Sequence, residues 1–149
     1  MIRKARLDDV KEMQRLIKLY SSRGAVLPRS LSDLYDHLRD FFVYSKNRAL
    51  VGICALHICW EDLAEIRSLI VKEESRNAGI GAKLVKACIQ ESKSLGVHRV
   101  FALTNRPDFF ERLGFKQVDK GVLPHKIWTD CLHCVKFPDC DEVALVKDI

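Results

Sequence analysis

The segment Arg76-Asn77-Ala78-Gly79-Ile80-Gly81 joins two stretches of different periodicity, and this junction constrains the fold more than any other part of the chain. The residues before it, 64–71, are largely apolar and predict a buried strand. The residues after it, 82–91, repeat their apolar side chains at helical spacing and predict an amphipathic helix. We therefore expect the chain to pass from a strand through a glycine-containing turn directly into a helix.

This turn is suited to binding an anion. The first turn of an α-helix has unpaired backbone N–H groups and the positive end of the helix dipole, so it stabilises negative charge. Gly79 and Gly81 lack the Cβ atoms that would hold a phosphate away, and Arg76 adds a positive charge. The segment lacks the Lys-Ser/Thr pair of a nucleotide P-loop and the third glycine of a dinucleotide fingerprint. It favours coenzyme A as the ligand, with an ordinary strand-to-helix turn as the alternative.

Composition indicates one globular domain and excludes several function classes. The 149 residues are enough to bury roughly two thirds of the unfolded surface. The longest apolar runs are too short for a membrane span, and the net charge of +5 is scattered, without a basic stripe for nucleic acid. The basic start leads into Asp8 and Asp9, not into an apolar signal core. We expect a single cytoplasmic domain, residues 1–149, with neither a nucleic-acid nor a membrane partner.

Hydrophobic periodicity predicts the element order β-α-α-β-β-β-α-β-α-β-β. Asp8 or Asp9 is expected to cap the first helix. The second predicted helix carries Asp33, Asp36 and Asp40 on its exposed side. A tight Lys-Asn-Arg turn joins the second and third strands as a hairpin.

Two segments resemble the GNAT superfamily of N-acetyltransferases. Residues 71–81 are similar to the acetyl-CoA signature of that family, and Phe109-Phe110-Glu111-Arg112-Leu113-Gly114-Phe115 is similar to its late helix and turn. The resemblance implies an α+β (α/β) GNAT fold, with a mixed, mostly antiparallel central sheet of about six or seven strands flanked by about four helices. It also implies acetyl-CoA as the co-substrate of an acyltransferase.

The resemblance further implies which residues bind acetyl-CoA. In the family, the main chain of the strand before the turn pairs with the pantetheine arm, and one of its N–H groups meets the thioester oxygen. The corresponding residues here are Leu69, Ile70, Val71, Arg76, Asn77, Ala78, Gly79, Ile80, Gly81, Asn105 and Phe110. Asn105 has a plain turn role as its alternative. Phe110 departs from the family, which usually places a tyrosine there as general acid, and a phenyl ring cannot donate a proton.

A carboxylate on the same strand is the candidate general base. In an extended strand, Glu65, Arg67 and Leu69 project to one face. Many members of the superfamily use a strand glutamate, often through water, to take the proton of the attacking ammonium. A structural ion pair between Glu65 and Arg67 or a helix lysine is the alternative. His57, on the adjacent strand, is a weaker candidate, because a lone strand histidine is more often a core residue.

Four blocks resemble the short, single-domain bacterial form of N-acetylglutamate synthase. They are residues 27–30, 60–69, 101–106 with 109–115, and 123–131, and they cover about a quarter of the chain. The resemblance implies transfer of acetyl to the α-amine of L-glutamate, the first step of arginine biosynthesis, by direct attack in a ternary complex. An acetyltransferase for another amino acid or small amine is one alternative. A non-catalytic module that senses acyl-CoA is another.

A dicarboxylate acceptor requires cations, and arginine recognises carboxylates through paired hydrogen bonds. The candidates for binding the acceptor are Arg29, Arg67, Arg106 and Lys126. Each has a solvated surface charge as its alternative. A charge midway along an apolar strand, as at Arg67, usually needs a partner or a ligand.

A cysteine cluster follows the last of these blocks. Cys131, His133, Cys134 and Cys140 have a spacing that can hold a structural zinc ion, although the acetyl transfer itself requires no metal. A redox disulfide and reduced packing thiols are the alternatives. The sequence leaves the oligomeric state open, a homodimer included.

Overall fold

The computed structural model describes residues 1–24, 26–124 and 142–149. The strands found there are β1 (Ile2–Lys4), β2 (Phe41–Lys46), β3 (Ala49–Trp60), β4 (Leu63–Val71), β5 (Arg99–Thr104), β6 (Lys116–Val118) and β7 (Val143–Asp148). The α-helices found there are α1 (Val10–Ser21), α2 (Leu31–Asp36), α3 (Ile80–Ser94) and α4 (Pro107–Glu111). No helix among these residues is long and apolar enough to cross a bilayer.

The predicted α+β architecture is confirmed. The element order is the one that periodicity predicts, and the strands lie in the order β1-β2-β3-β4-β5-β7-β6. Four of the strand pairs, β1 with β2, β2 with β3, β5 with β7 and β6 with β7, are antiparallel. The predicted hairpin between β2 and β3 is present, and Asn47 and Arg48 turn the chain with φ of 53° and 66°.

The described residues divide into two compact units, and the first consists of Met1–His57 and Ile66–Glu91. Its core joins the apolar faces of α1 and α2 to the side chains of β2 and β3. The helix α3 also packs closely on β3, because a Cβ atom on Gly52 would lie 3.0 Å from Leu84 Cδ1. This close approach holds the start of α3, and thus the glycine-containing turn, in a defined position.

The second unit consists of Ile58–Glu65 and Ser92–Ile149, the latter within the described residues. Its apolar cluster includes Leu63, Phe101 and Leu123. The strand β7 pairs with both β5 and β6. Lys147 on β7 donates through Nζ to the carbonyl oxygen of Leu113 at 2.6 Å, which secures the turn after α4. That the whole chain acts as one domain stays a prediction.

Two expectations about acidic residues need correction. Asp9 occupies the N-cap position of α1, but its side chain does not cap the helix. The side chain accepts instead from the backbone N–H of Arg6 at 2.7 Å and from both terminal nitrogens of Arg3. Asp33 and Asp40 are half-buried and paired with basic side chains, so only Asp36 of the three lies on the exposed side as predicted.

Candidate active site

The turn before α3 has the backbone of an anion cradle. Asn77 and Gly79 both have left-handed backbone angles, with φ of 65° and 75°. Residues 76–79 are exposed, whereas Ile80 is buried and fixes the start of the helix. The carbonyl oxygen of Gly79 accepts from the N–H of Lys83 at 3.0 Å, so the first helical turn begins at this glycine. Left-handed residues next to the first turn of a helix can direct backbone N–H groups at an anion, so the backbone agrees with the predicted anion site, and binding of a pyrophosphate here stays a prediction.

Arg76 is fixed to the strand that precedes this turn. Its Nε donates to the carbonyl oxygen of Val71 at 3.2 Å, and its guanidinium lies over the ring of Tyr20, 5.6 Å from the centroid. The hydroxyl of Tyr20 accepts from the N–H of Glu73 at 3.0 Å. Tyr20 therefore supports the turn through its contacts with Glu73 and Arg76.

The strand β4 is irregular at the point where it approaches the turn. Ser68 has a left-handed φ of 52°, which is uncommon for a residue other than glycine, asparagine or aspartate. Such a residue interrupts the alternation of side chains along a strand. The shared face predicted for Glu65, Arg67 and Leu69 consequently cannot continue through Ser68 to Leu69. Ile70 is buried, whereas Leu69 and Val71 are half-buried.

Arg29 is held against β4 within the first unit. Its Nη1 donates to Ser68 Oγ at 3.3 Å, and its Nε donates to Asp33 Oδ2 at 2.6 Å. The guanidinium also lies over the ring of Phe41, 5.0 Å from the centroid. The side chain is 11% exposed, so the alternative of a solvated surface charge does not hold for Arg29. Because Ser68 directly follows Arg67 in β4, this contact places Arg29 next to that part of the strand.

The two strand candidates for acid–base chemistry differ in their surroundings. Glu65 is 7% exposed, although its sequence neighbours on β4 are mainly apolar. His57 is half-buried, with Nδ1 lying 3.0 Å from Asp40 Oδ2 and its ring in edge contact with that of His37. This pairing agrees with a structural role for His57. Glu65 remains the predicted base.

Three further predicted site residues lie in the second unit, after the end of β5. Asn105 and Arg106 are exposed, and the N–H of Arg106 donates to Thr104 Oγ1 at 3.0 Å. Phe110 is 5% exposed, and its ring packs edge-on against Phe109 and Phe115 with centroids 5.1 and 5.2 Å away. The ring of Phe110 thus serves the core, and any contact with a ligand remains a prediction.

The remaining candidates lie outside the described residues. They are Lys126, Cys131, His133, Cys134 and Cys140. Within residues 1–24, 26–124 and 142–149, no group of three or more histidine, cysteine, aspartate or glutamate side chains is arranged to hold a metal ion. The zinc hypothesis concerns the undescribed segment and stays a prediction.

Comparison with known proteins accounts for this arrangement of strand, turn and helix. The family model described as the acetyltransferase (GNAT) family matches residues 8–115. The chain belongs to the GNAT acetyltransferase family. As a GNAT N-acetyltransferase it uses acetyl-CoA, and the fold inferred from residues 71–81 and 109–115 is confirmed.

Two relatives show where in the family this acetyltransferase lies. An uncharacterized N-acetyltransferase of Chlorobaculum tepidum is 43% identical over 148 residues, 99% of this chain and 96% of that protein. An amino-acid acetyltransferase of Mycobacterium tuberculosis is 34% identical over 125 residues, 80% of this chain and 70% of that protein. The sequence relationship to proteins named amino-acid acetyltransferase therefore extends over most of the GNAT domain.

A solved structure gives the same relationship in three dimensions. N-acetylglutamate synthase of Neisseria gonorrhoeae, in complex with coenzyme A and N-acetyl-glutamate, superimposes with a TM-score of 0.91 at 27% identity. The match covers 99% of this GNAT chain but 34% of the synthase chain. The likeness concerns the acetyltransferase part of that larger protein.

Proposed function

We propose that this enzyme transfers the acetyl group of acetyl-CoA to the α-amine of L-glutamate, the entry reaction of arginine biosynthesis. The observation that carries the proposal is the guanidinium of Arg29, which is 11% exposed and held against β4 through Ser68. A nearly buried arginine with a fixed fork of donors is suited to a carboxylate ligand. The relationship to amino-acid acetyltransferases supports the same class of acceptor.

Acetyl-CoA supplies the acetyl group. The turn formed by residues 76–81 is the proposed site for its pyrophosphate. Gly79 offers no obstacle there, since no atom lies within 4 Å of the position that a Cβ would take. The backbone N–H groups of the first turn of α3 and the charge of Arg76 neutralise the phosphates. In this proposal the main chain of residues 69–71 aligns the pantetheine arm and donates to the oxygen that gains charge during attack.

The acceptor must lose a proton before it attacks, because an ammonium group has no free electron pair. Glu65 takes this proton, either directly or through a water molecule, while Arg29 and Arg67 bind the carboxylates of the amino acid. Phe110 has no proton to donate. The sulfur of coenzyme A therefore leaves as the thiolate, which its pKa of about 8.5 permits near neutral pH.

The test is release of the coenzyme A thiol from acetyl-CoA in the presence of each common amino acid and of polyamines. A reaction without acceptor corrects for the thiols of the protein itself. We expect glutamate to be the strongest acceptor, with glutamine and aspartate as informative comparisons. Glutamine lacks the second charge, and aspartate presents it one methylene closer to the amine. Stronger turnover of a different amino acid or small amine would overturn the assignment to glutamate and leave acetyl transfer intact.

A pair of arginine variants tests the role of Arg29. Arg29→Ala should raise the KM for glutamate about tenfold or more, because a charge-assisted hydrogen bond to a carboxylate is lost. The KM for acetyl-CoA should stay the same. Arg39→Ala, which removes an exposed arginine just beyond α2, is the matched control and should leave both values unchanged. An unaltered glutamate KM in Arg29→Ala would remove Arg29 from the acceptor site.

A further inference from the structure

The short helix α2 carries an acidic side chain that is bonded to the proposed acceptor ligand. The helix begins after Ser30, whose Oγ accepts from the N–H of Asp33 at 3.0 Å. This cap fixes the first turn and places Asp33 one helical turn after Arg29. The resulting pair between Arg29 Nε and Asp33 Oδ2 is 2.6 Å long.

His37, one further turn along the chain, lies close to the second oxygen of Asp33. Its Nδ1 is 3.0 Å from Asp33 Oδ1, and it forms a hydrogen bond of 3.0 Å with the backbone carbonyl oxygen of Asp33. Burial pushes the pKa of Asp33 upward, but the hydrogen bonds and charges of Arg29 and His37 outweigh that effect and lower the pKa below its usual value. Asp33 is therefore a charged residue whose carboxylate is bonded to Arg29, and rotation of the carboxylate would break that bond.

The contacts of Arg29 determine which nitrogens of its guanidinium are available to a ligand. Arg29 has three nitrogens, of which Nε is used by Asp33 and Nη1 by Ser68. The two N–H groups of Nη2 have no hydrogen-bond partner among the described residues. The guanidinium also lies over the ring of Phe41, 5.0 Å from the centroid. Contacts with Asp33, Ser68 and Phe41 thus hold the side chain before any ligand arrives.

We infer that Asp33 is a positioning residue for acceptor recognition, which holds the guanidinium of Arg29 with its Nη edge directed to the acceptor carboxylate. This inference rests on the proposed function. Arginine has large rotamer freedom, and a side chain that is already immobile loses less entropy when it binds a ligand. Asp33 contributes affinity for the acceptor without contacting it. Because the carboxylate of Asp33 partly neutralises the guanidinium charge, Asp33 improves acceptor binding through the orientation of Arg29 and not through charge.

The experiment compares three aspartate variants in the full chain, with the amino acid that the acceptor screen identifies. Asp33→Ala should raise the acceptor KM about tenfold while kcat and the KM for acetyl-CoA stay within about twofold. Asp33→Glu keeps a carboxylate within reach of Nε and should restore most of the loss. Asp36→Ala removes an exposed aspartate from the same helix and should change none of these values. A raised acceptor KM with an unchanged kcat, together with recovery in Asp33→Glu, distinguishes a positioning role from general damage to the fold.

The outcomes that overturn the inference are distinct from those that overturn the proposed function. An acceptor KM that is unchanged in Asp33→Ala but raised in Arg29→Ala would show that Arg29 needs no support from Asp33. Equal effects of Asp33→Ala on kcat and on both KM values, without rescue by glutamate, would show a structural role only. If neither variant affects the KM of a good amino-acid acceptor, the inference fails and the transfer reaction stands. Absence of turnover with every amino acid would overturn both.

Discussion

Arg76 and Val71 are joined by a hydrogen bond of 3.2 Å from the guanidinium Nε to the carbonyl oxygen, across the connection between β4 and α3. The bond uses one donor of Arg76 to fix the side chain and leaves its terminal nitrogens for other contacts. The ring of Tyr20 supports the guanidinium plane. The hydrogen bond thus joins two parts of the proposed acetyl-CoA site. One is the strand β4, which is proposed to align the pantetheine arm, and the other is Arg76, which is proposed to bind the phosphates.

Removal of this arginine should weaken binding of acetyl-CoA. Arg76→Ala is expected to raise the KM for acetyl-CoA about tenfold, because a charged hydrogen-bond donor to a phosphate is lost. The kcat at saturation and the acceptor KM should change little. Arg15→Ala, on the exposed side of α1, has the same change in net charge and should behave like wild type. Equal effects in both variants would indicate a general electrostatic effect instead of a site.

Two glycines with the same backbone angle allow the ligand-binding contribution of the turn to be isolated. Gly79 and Gly24 both have φ of 75°, and neither would bring a Cβ within 4 Å of another atom. Each substitution to alanine should cost about 1 kcal/mol of stability through backbone strain alone. We expect only Gly79→Ala to raise the KM for acetyl-CoA, since its methyl group would enter the proposed cradle. Thermal unfolding and steady-state kinetics measure the two effects, and an equal KM in both variants would contradict the cradle.

These same positions indicate what could be predicted from the sequence. The turn at residues 76–81 was predictable because its signal is local: glycines, a charge and a change of periodicity within a few residues. Asparagine and glycine tolerate left-handed backbone angles, as found at Asn77 and Gly79. Serine at position 68 carries no such signal, although its φ of 52° interrupts the strand.

Long-range contacts account for what was missed. Arg29 and Ser68 are 39 residues apart in sequence and meet only through tertiary packing. Helical periodicity likewise placed Asp33 on an exposed face, because it does not register a partner that lies before the helix begins. The sequence predicted the residue types that a dicarboxylate would need. It did not predict which of them would be buried, oriented and bonded to a carboxylate.

The proposed role of Glu65 as general base is tested by removing its charge and preserving its shape. Glu65→Gln should lower kcat about 100-fold or more, because no group is left to take the proton of the ammonium. Both KM values should remain close to those of wild type. Glu61→Gln, an exposed glutamate that precedes β4, serves as the control and should retain full activity. A kcat within about threefold of wild type in Glu65→Gln would assign the proton to solvent.

The ion pair between half-buried Arg3 and buried Asp9 predicts how stability depends on pH. Two hydrogen bonds of 2.7 and 2.9 Å from Arg3, together with the N–H of Arg6, lower the pKa of Asp9 against the opposing effect of burial. Because the folded-state pKa lies below the unfolded value, the pair stabilises the protein fully above about pH 4, and the contribution is lost as the pH falls through the folded-state pKa.

Asp9→Asn should therefore reduce the free energy of unfolding by about 2 kcal/mol at pH 7, and the difference from wild type should shrink in acid. Urea unfolding at a series of pH values measures this. Asp8→Asn, at the exposed neighbouring position, should show no comparable loss, and a constant difference down to pH 2 in Asp9→Asn would mean that the carboxylate charge is not responsible.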